Sequence, residues 1–244
     1  MLTENKPIVD LDEKVIPEKT TEPKVDLDEK VIPEKTTKPK SIRPKPKSEL
    51  NLLLFRKWDF SSVEVNDFGL KDVIFLQPTI IPTSFGRHEH KRFAKSRVNI
   101  VERLINNLMH FGKRKAKNSG RMGGKKQKSM NIVKSAFQII ELETNSNPIE
   151  QLVRAIENAA PNEDTTTIAY GGVRYHVSVD ISPQRRVDLA LRFISLAVRE
   201  TSFSTQKSAE EILALELILA AKNDSNSFSI KKKFEQERMA MSAR

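Results

Sequence analysis

The chain has 244 residues and a formal net charge of +10 at pH 7, with a calculated pI of about 9.7. This excess of positive charge favours a polyanionic partner, either nucleic acid or an anionic membrane surface. The absence of cysteine excludes a disulfide framework, a cysteine nucleophile and a thiolate metal site. No stretch approaches the roughly 18 apolar residues of a membrane span, and the N-terminus lacks the apolar core of a secretory signal. We therefore expect a cytoplasmic protein that does not span a membrane, and the distribution of its charge decides between the two partners.

A tandem repeat dominates residues 1–47. The segment 9–24 reads VDLDEKVIPEKTTEPK, and the segment 25–40 repeats it with Lys38 in place of Glu22. Such a composition contains too few large apolar residues to form a core, and the basic stretch RPKPK that follows is typical of an extended linker. We predict a disordered, solvated tail, with a partner-binding arm as the alternative. The tail holds 11 basic and 10 acidic residues, so the positive excess lies in the rest of the chain.

From residue 98 onward the apolar residues recur with the period of an α-helix, and six helices are predicted. Pro148 and Pro183 each occupy a first helical position, and a capping box begins at Ser208. The preceding residues 48–97 are predicted to wrap around this helical domain. The sixth helix, near residues 229–241, is expected to be short and polar. The residues of the other five helices that are expected to face the core are Ile100, Val101, Leu104, Ile105, Leu108 and Met109; Ile132, Val133, Ala136, Phe137, Ile139 and Ile140; Ile149, Leu152, Val153 and Ile156; Val187, Ala190, Leu191, Ile194 and Val198; and Ile212 to Ala221.

Between the third and fourth helices, residues 165–181 change to the alternating period of β-strands around a Gly-Gly turn. A two-stranded ribbon is marginal by itself in water, so it must rest on the helices or on a partner. A hairpin packed on its own domain and an arm that reaches into nucleic acid both stay open. The sequence thus predicts a mainly α fold, a bundle-like domain of six helices (98–244) with a projecting two-stranded β-hairpin. The residues at and beside the turn are Tyr170, Gly171, Gly172, Arg174, Tyr175 and His176.

Positive charge is concentrated in four clusters: residues 86–97, the connector 113–129, the pair 185–186, and residues 231–233. The last two clusters lie near helix starts, where the helix dipole disfavours cations unless an anion is close. A phosphate would satisfy both the amide donors and the side chains there. One such cluster is usually a solvated charge run, but four on separate elements favour RNA binding. The expected mode is recognition of RNA shape and backbone.

The sequence offers little for catalysis or metal binding. Residues 120–129 contain glycines and lysines, but their spacing does not match a phosphate loop and no apolar strand precedes them. His88 and His90 have basic neighbours that repel a metal cation, so we expect them to contact RNA or solvent. Asp180 and Asp188 are interpreted as a hairpin end and a helix surface. We predict no catalytic residue, no metal site and no cofactor.

A series of short motifs runs through the chain from residue 57 to the C-terminus. The motifs are KW at 57–58, FGRH at 85–88, VERL at 101–104, NPI at 147–149, AIENAAP at 155–161, GGV at 171–173, VDISPQRR at 179–186, KKK at 231–233, ER at 237–238 and SAR at 242–244. In this order and spacing, the stretch from about Leu54 to Arg244 resembles the universal small-subunit ribosomal protein seven family, in its archaeal and eukaryotic cytosolic form.

The resemblance implies a structural constituent of the small ribosomal subunit, not an enzyme. Members of the family bind the 3′ major domain of small-subunit rRNA, which forms the subunit head, and help nucleate head assembly. They lie among other small-subunit proteins at the exit site, where the hairpin turn would face tRNA and mRNA. Carried over by position, the rRNA contacts fall on Arg87, Lys91, Arg92, Lys95, Arg97, Lys113, Arg114, Lys115, Lys117, Arg185, Arg186, Lys231, Lys232, Lys233 and Arg238.

The chain departs from the family pattern at three places. The connector 113–129 is longer than the usual loop, and the repeat tail has no counterpart. Tyr170 stands where a basic residue is common, so base stacking would replace a phosphate contact there. Two other function classes are a free-standing DNA- or RNA-binding regulator, which would not sediment with small subunits, and a phosphate-handling enzyme, whose activity would depend on residues 120–129.

Overall fold

The structure is a computed structural model that describes residues 52–109, 122–203 and 205–244. Within these residues it contains six α-helices and one two-stranded antiparallel sheet, which confirms the predicted mainly α fold with a hairpin. A short 3-10 helix, Ala94–Arg97, precedes the first α-helix. The elements are α1 (Ile100–Leu108), α2 (Lys126–Thr144), α3 (Pro148–Ala159), β1 (Glu163–Tyr170), β2 (Val173–Asp180), α4 (Pro183–Ser202), α5 (Ala209–Ala221) and α6 (Phe228–Met241).

Two sequence predictions concern residues outside this described part. The tail of residues 1–47 lies wholly outside it, and so does most of the connector 113–129. The last residues of that connector are helical, because α2 begins at Lys126. The prediction of a basic loop that continues to Ser129 was therefore wrong at its C-terminal end. The physical reason is that Ser129 is buried on the first turn of α2, so this turn is part of the packed domain.

Helix α5 lies at the centre of the helical domain and packs against α2, α3 and α4. Its sequence is apolar around most of its circumference, as expected for a helix that is surrounded by others. The predicted capping box is present, with Ser208 accepting from the backbone N–H of Glu211. Pro148 and Pro183 occupy first helical positions as predicted. In the described part of the chain, no helix combines the length and the apolar character that crossing a membrane demands.

The segment that precedes α1 runs over the outside of the helices with little regular structure. Leu54, Trp58 and Leu70 are buried in the same core as the helices. The Trp58 ring packs edge-on against Phe137 of α2, with ring centroids 5.6 Å apart, and its indole N–H donates to Glu141 at 3.1 Å. Burying aromatic rings in this way removes large apolar areas from water. These contacts hold the segment that precedes α1 against the helices.

A buried carboxylate joins the start of this domain to α2. Glu102 of α1 is 3 % exposed and accepts from Lys126 Nζ at 2.6 Å and from the backbone N–H of Ser84 at 2.8 Å. The Ser84 hydroxyl donates to the same oxygen at 2.9 Å. Burial alone would raise the pKa of Glu102, but the hydrogen bonds from Lys126 and Ser84 outweigh burial and lower the pKa below its ordinary value.

A second buried carboxylate accepts the free hydrogen-bond donors at the start of the last helix, α6. Glu216 of α5 accepts from the backbone N–H of Ser229 at 2.8 Å and from the hydroxyls of Ser227 and Ser229 at 2.6 and 2.7 Å. It also accepts from the backbone N–H of Phe228. These are the amide donors that a helix leaves without partners at its N-terminus, where a negative charge is favoured. The carboxylate therefore fixes the direction in which α6 leaves α5.

We predict that Glu102→Gln lowers the free energy of unfolding at neutral pH by about 3 kcal/mol, because it leaves the Lys126 ammonium without its buried partner. The folded-state pKa of Glu102 is depressed, so its contribution is present above the unfolded-state pKa and is lost as the pH falls through the folded-state value. The difference between wild type and variant should thus shrink at acidic pH in urea titrations. The exposed Glu89→Gln serves as the control, and a pH-independent difference would contradict the prediction.

We also predict that Glu216→Ala lowers the unfolding free energy by about 2–3 kcal/mol, because it leaves buried amide and hydroxyl donors at the start of α6 unsatisfied. Glu143→Ala, at an exposed position of α2, should change it by less than about 0.5 kcal/mol. Urea denaturation at neutral pH measures both values. Equal effects of the two substitutions would show that Glu216 does not stabilise the fold through these bonds.

Candidate nucleic-acid interface

The basic segment, defined as residues 86–97, lies between the wrapping chain and α1. Four of its predicted contact residues are exposed and form no ion pair with any described residue: Arg87, Lys91, Arg92 and Arg97. Two exposed aromatic rings accompany the segment: Phe85 directly precedes it and Phe93 lies within it. Both residues adopt left-handed backbone conformations. That conformation is strained for a bulky residue and persists only where the surroundings hold it. The Arg92 guanidinium lies 4.7 Å from the centroid of the Phe93 ring.

Lys95 differs from these four residues because it forms an ion pair with another residue of the protein. Its Nζ lies 2.9 Å from Asp188 Oδ1 on α4, and the same oxygen accepts from Arg103 of α1 at 2.9 Å. Arg103 is 2 % exposed and also donates to the carbonyl of Val73. Burial lowers the pKa of Arg103, and Asp188 opposes that shift. The interpretation of Asp188 as an ordinary helix surface was therefore incomplete, since it compensates a buried cation.

The two arginines at the start of α4 are also held by carboxylates. Arg185 pairs with Asp164 of β1 at 3.0 Å, and Arg186 pairs with Asp67 of the wrapping segment at 3.0 Å. Burial alone would raise the pKa of Asp164, but hydrogen bonds from Gln236 of α6 and from Arg185 outweigh it and lower the pKa. The two cationic side chains near this helix start are thus paired by carboxylates of the protein, whereas the N-cap residue Ser182 forms no side-chain capping bond. Arg185 is largely exposed, whereas the Arg186 side chain is mostly buried.

On α6, the structure corrects the expectation that phosphate would satisfy the amide donors beside residues 231–233. Those donors are already taken by Glu216 and by the Ser227 hydroxyl. Lys233 donates to the carbonyl of Asn158 at the C-terminal end of α3, where a cation is favoured. Lys232 pairs with Glu235 and lowers the pKa of that carboxyl. Lys231 and Arg238 are exposed and form no ion pair with a described residue.

These contacts bring three of the four predicted clusters together. Asp188 joins the basic segment to α4 through Lys95. Asp164 then joins α4 to the base of the hairpin through Arg185, and to α6 through Gln236. The clusters, which are far apart in the sequence, therefore lie on adjacent elements. The predicted contact residues of the fourth cluster, Lys113, Arg114, Lys115 and Lys117, lie outside the described residues.

The hairpin is anchored at its base and exposed at its tip. The backbone N–H of Ser178 donates to the carbonyl of Ala243, and Arg244 pairs with Glu163. Every residue from 166 to 177 is exposed. Of the two possibilities left open by the sequence, the base supports the hairpin packed on its own domain, and the tip supports the free arm. Gly171 and Gly172 both have positive φ, as the tight turn requires.

The two faces of the hairpin differ in character. The antiparallel register places Tyr170 opposite Val173 and Ile168 opposite Tyr175, so these side chains share one face. Their exposed fractions are between 52 and 80 %. Arg174 and His176 lie on the other face, which is polar, and the His176 ring nitrogen Nδ1 lies 3.3 Å from Thr167 Oγ1. The tip thus offers aromatic rings on one side and a cation on the other.

Sequence reasoning did not find several residues of this region. Arg103 falls within the apolar repeat of α1, and nothing local shows that its guanidinium is buried. Phe85 and Phe93 look like core residues by type, yet both are exposed. Among the described residues no cluster of three or more His, Asp or Glu side chains could hold a metal ion. The site as described presents fixed cations and aromatic rings, which suit binding to phosphates and bases.

Comparison with known proteins supports the same interpretation. The family model "Ribosomal protein S7p/S5e" matches residues 70–244. "Small ribosomal subunit protein uS7" of Cenarchaeum symbiosum is 61 % identical over 194 residues, covering 80 % of this chain and 98 % of the relative. The uS7 protein of Methanothermobacter thermautotrophicus is 50 % identical over 78 % of this chain and 98 % of its own length, and that of Methanosphaera stadtmanae is 47 % identical over 80 % and 100 %.

The matched residues include α1 to α6, the hairpin and the basic segment. This extent confirms the resemblance that the short motifs indicate, and it supports a structural role in the small ribosomal subunit. It also confirms the prediction of a structural protein, because the family consists of ribosomal proteins and not of enzymes. The chain therefore belongs to the ribosomal protein S7p/S5e family.

Proposed function

We propose that this chain binds the 3′ major domain of small-subunit rRNA, helps to nucleate assembly of the subunit head, and lines the exit site and the mRNA exit path. The observation that carries the proposal is the pair of shared carboxylates, Asp188 and Asp164, which hold three basic clusters on adjacent elements. A single cationic cluster is common on protein surfaces, but a fixed set of them matches the extended phosphate pattern of a folded RNA.

The predicted contact residues divide into two roles. Exposed cations without a described ion-pair partner would neutralise phosphates and release their counterions. Cations with protein partners keep the elements in position and would reach phosphate only with their remaining donors. The first group contains Arg87, Lys91, Arg92, Arg97, Lys231 and Arg238, and the second contains Lys95, Arg185, Arg186, Lys232 and Lys233.

The role in assembly follows from the rigidity of this arrangement. The helical core packs around α5 and holds in place the elements that carry the basic clusters. A protein whose basic elements are already in position loses little backbone conformational entropy when it binds, so it would bind early and select one RNA conformation. Neighbouring small-subunit proteins would join later. Residues 113–117 would add further phosphate contacts in this proposal.

The hairpin tip would serve the exit site. Tyr170 at its end is 80 % exposed, and Tyr175 shares the same apolar face. An exposed aromatic ring stacks on any base, whereas an arginine binds chiefly phosphate or base edges. The tip would therefore contact an unpaired base of exit-site tRNA or of mRNA by stacking, with Arg174 on the opposite face available for the backbone.

We predict that the triple variant Arg87→Gln, Lys91→Gln, Arg92→Gln binds a head-domain rRNA fragment with a much weaker salt dependence than wild type. The slope of log affinity against log salt should fall by about three, because each lost phosphate contact removes about one unit. Filter binding over a range of potassium chloride concentrations measures the slope.

The matched control removes three charges from exposed lysines of other elements, in the variant Lys134→Gln, Lys207→Gln, Lys222→Gln. Its slope should stay within about one unit of wild type. Equal slopes for the two triple variants would mean that the basic segment has no special part in binding. A wild-type affinity that does not change with salt would contradict the whole proposal.

We predict that Tyr170→Ala accelerates dissociation of deacylated tRNA from the exit site about tenfold, since one stacked base contributes about 1–3 kcal/mol. Tyr170→Phe keeps the ring and should behave as wild type. Neither substitution should alter affinity for the head-domain fragment, because the tip lies apart from the basic segment. Subunits reconstituted with each variant allow both measurements. Unchanged tRNA dissociation, or loss of fragment binding, would contradict the assignment of the tip.

A further inference from the structure

A small cavity lies behind the basic segment, between it and α1. It has a volume of about 160 Å³ and is lined by His88, Lys95, Val98, Arg103, Asn106 and Asn107. One water molecule occupies about 30 Å³ in the liquid, so the cavity has room for a phosphate group and some of its hydration. Five of its six lining residues have polar side chains, which is unlike the apolar cavities that stay empty in protein cores.

One residue of the cavity wall, Arg103, holds an enclosed donor that lacks a partner. Arg103 is 98 % buried; its terminal nitrogens donate to Asp188 and to the carbonyl of Val73. Its Nε has no hydrogen-bond partner among the described residues. An unsatisfied donor on a buried charged group costs about 1–3 kcal/mol or more. In native structures such a donor calls for an explanation, and strain, a water molecule or a bound ion each supply one.

The other polar groups of the cavity are mainly donors as well. Lys95 has one contact, with Asp188, and its ammonium carries two further protons. The side-chain amide of Asn106 has no partner among the described residues. The His88 ring contacts the Ser84 hydroxyl through Nδ1, which leaves Nε2 for another partner. The Asn107 amide is already used by the carbonyl of Arg103.

The charge of the cavity wall is positive. Lys95 and Arg103 carry two positive charges, and the one carboxylate that contacts them, Asp188, neutralises only one. His88 and Lys95 of the basic segment line the cavity, so a polyanion that binds this segment would lie close to it. A site with several donors, a net positive charge and few free acceptors selects an anion over water.

We propose that this cavity binds one phosphate group, held by Lys95 and Asn106 beside the buried positive charge of Arg103. The inference rests on the proposed function for the source of that phosphate, which would be the rRNA backbone. A recessed phosphate would fix the register of the RNA against the protein more tightly than exposed lysines do, because its donors are held in place by the fold. Asn106 would thereby join the binding residues, although it does not belong to a basic cluster.

The test uses the full-length chain and the substitution Asn106→Asp, which keeps the side-chain shape and places a negative charge in the cavity. The matched control is Asn131→Asp, which makes the same change at an exposed position of α2. Affinity for the head-domain rRNA fragment should fall about tenfold for Asn106→Asp relative to Asn131→Asp, and the salt slope should fall by about one. Thermal unfolding of both variants controls for loss of structure.

A second arm uses inorganic phosphate without RNA. The side-chain amide resonance of Asn106 should shift with added phosphate and saturate, while chloride at equal ionic strength leaves it unchanged. Lys95→Met should weaken this effect independently of Asn106. Shifts that are equal with phosphate and chloride would identify a water-filled cavity and overturn the proposal.

The two arms also distinguish free phosphate from rRNA phosphate as the ligand of the cavity. They further distinguish failure of the cavity proposal from failure of the proposed function. Saturable binding of inorganic phosphate with equal rRNA affinity in both Asp variants would identify a pocket for free phosphate and overturn the rRNA assignment. Wild-type protein that fails to bind the rRNA fragment would overturn the proposed function, while the phosphate titration would still decide whether the cavity binds an anion.

Discussion

The relative positions of α1, α4 and the basic segment depend on one ion pair, in which the buried guanidinium of Arg103 binds the carboxylate of Asp188. Arg103 of α1 is enclosed by the fold, and a buried cation without a partner would be strongly destabilising. Asp188 of α4 meets that need and also binds Lys95, so one carboxylate positions α1, α4 and the end of the basic segment. Asp164 repeats this arrangement between α4, the hairpin base and α6. Both carboxylates reduce the mutual repulsion of cations that would otherwise separate these elements.

The folded part of this chain concentrates positive charge on adjacent elements without leaving every cation unpaired. This chain does so by directing some cations inward and others outward. Arg186 and Lys233 bind Asp67 and a helix carbonyl, so they contribute to the fold. The start of α6 is also satisfied within the protein, because Glu216 accepts from the backbone amides that would otherwise be free to bind a phosphate. In the proposed function, phosphate contacts are thereby left to side chains such as Arg87 and Lys91, whose loss would affect affinity more than stability.

The hairpin has a different physical basis. Two strands alone are marginal in water, and here the apolar face around Tyr170 and Tyr175 is exposed and adds little to folding. The strands are held instead at their base, where Ser178 and Glu163 contact the last two residues of the chain. A rigid base with an exposed aromatic end is suited to reaching beyond the domain. Exposed apolar surface of this kind on a soluble domain usually marks a binding surface.

The sequence by itself determined the six helices, the hairpin and the basic clusters, because these follow from local periodicity, from the prolines at 148 and 183, from the capping box at Ser208 and from charge counts. It also indicated the family, through short motifs whose order and spacing resemble those of the family. Only the tertiary structure decided which cations are free, since the partners of Arg103 and Arg186 lie 85 and 119 residues away. Burial and ion pairing are properties of packed neighbours, and no local pattern encodes which carboxylate will meet a given arginine.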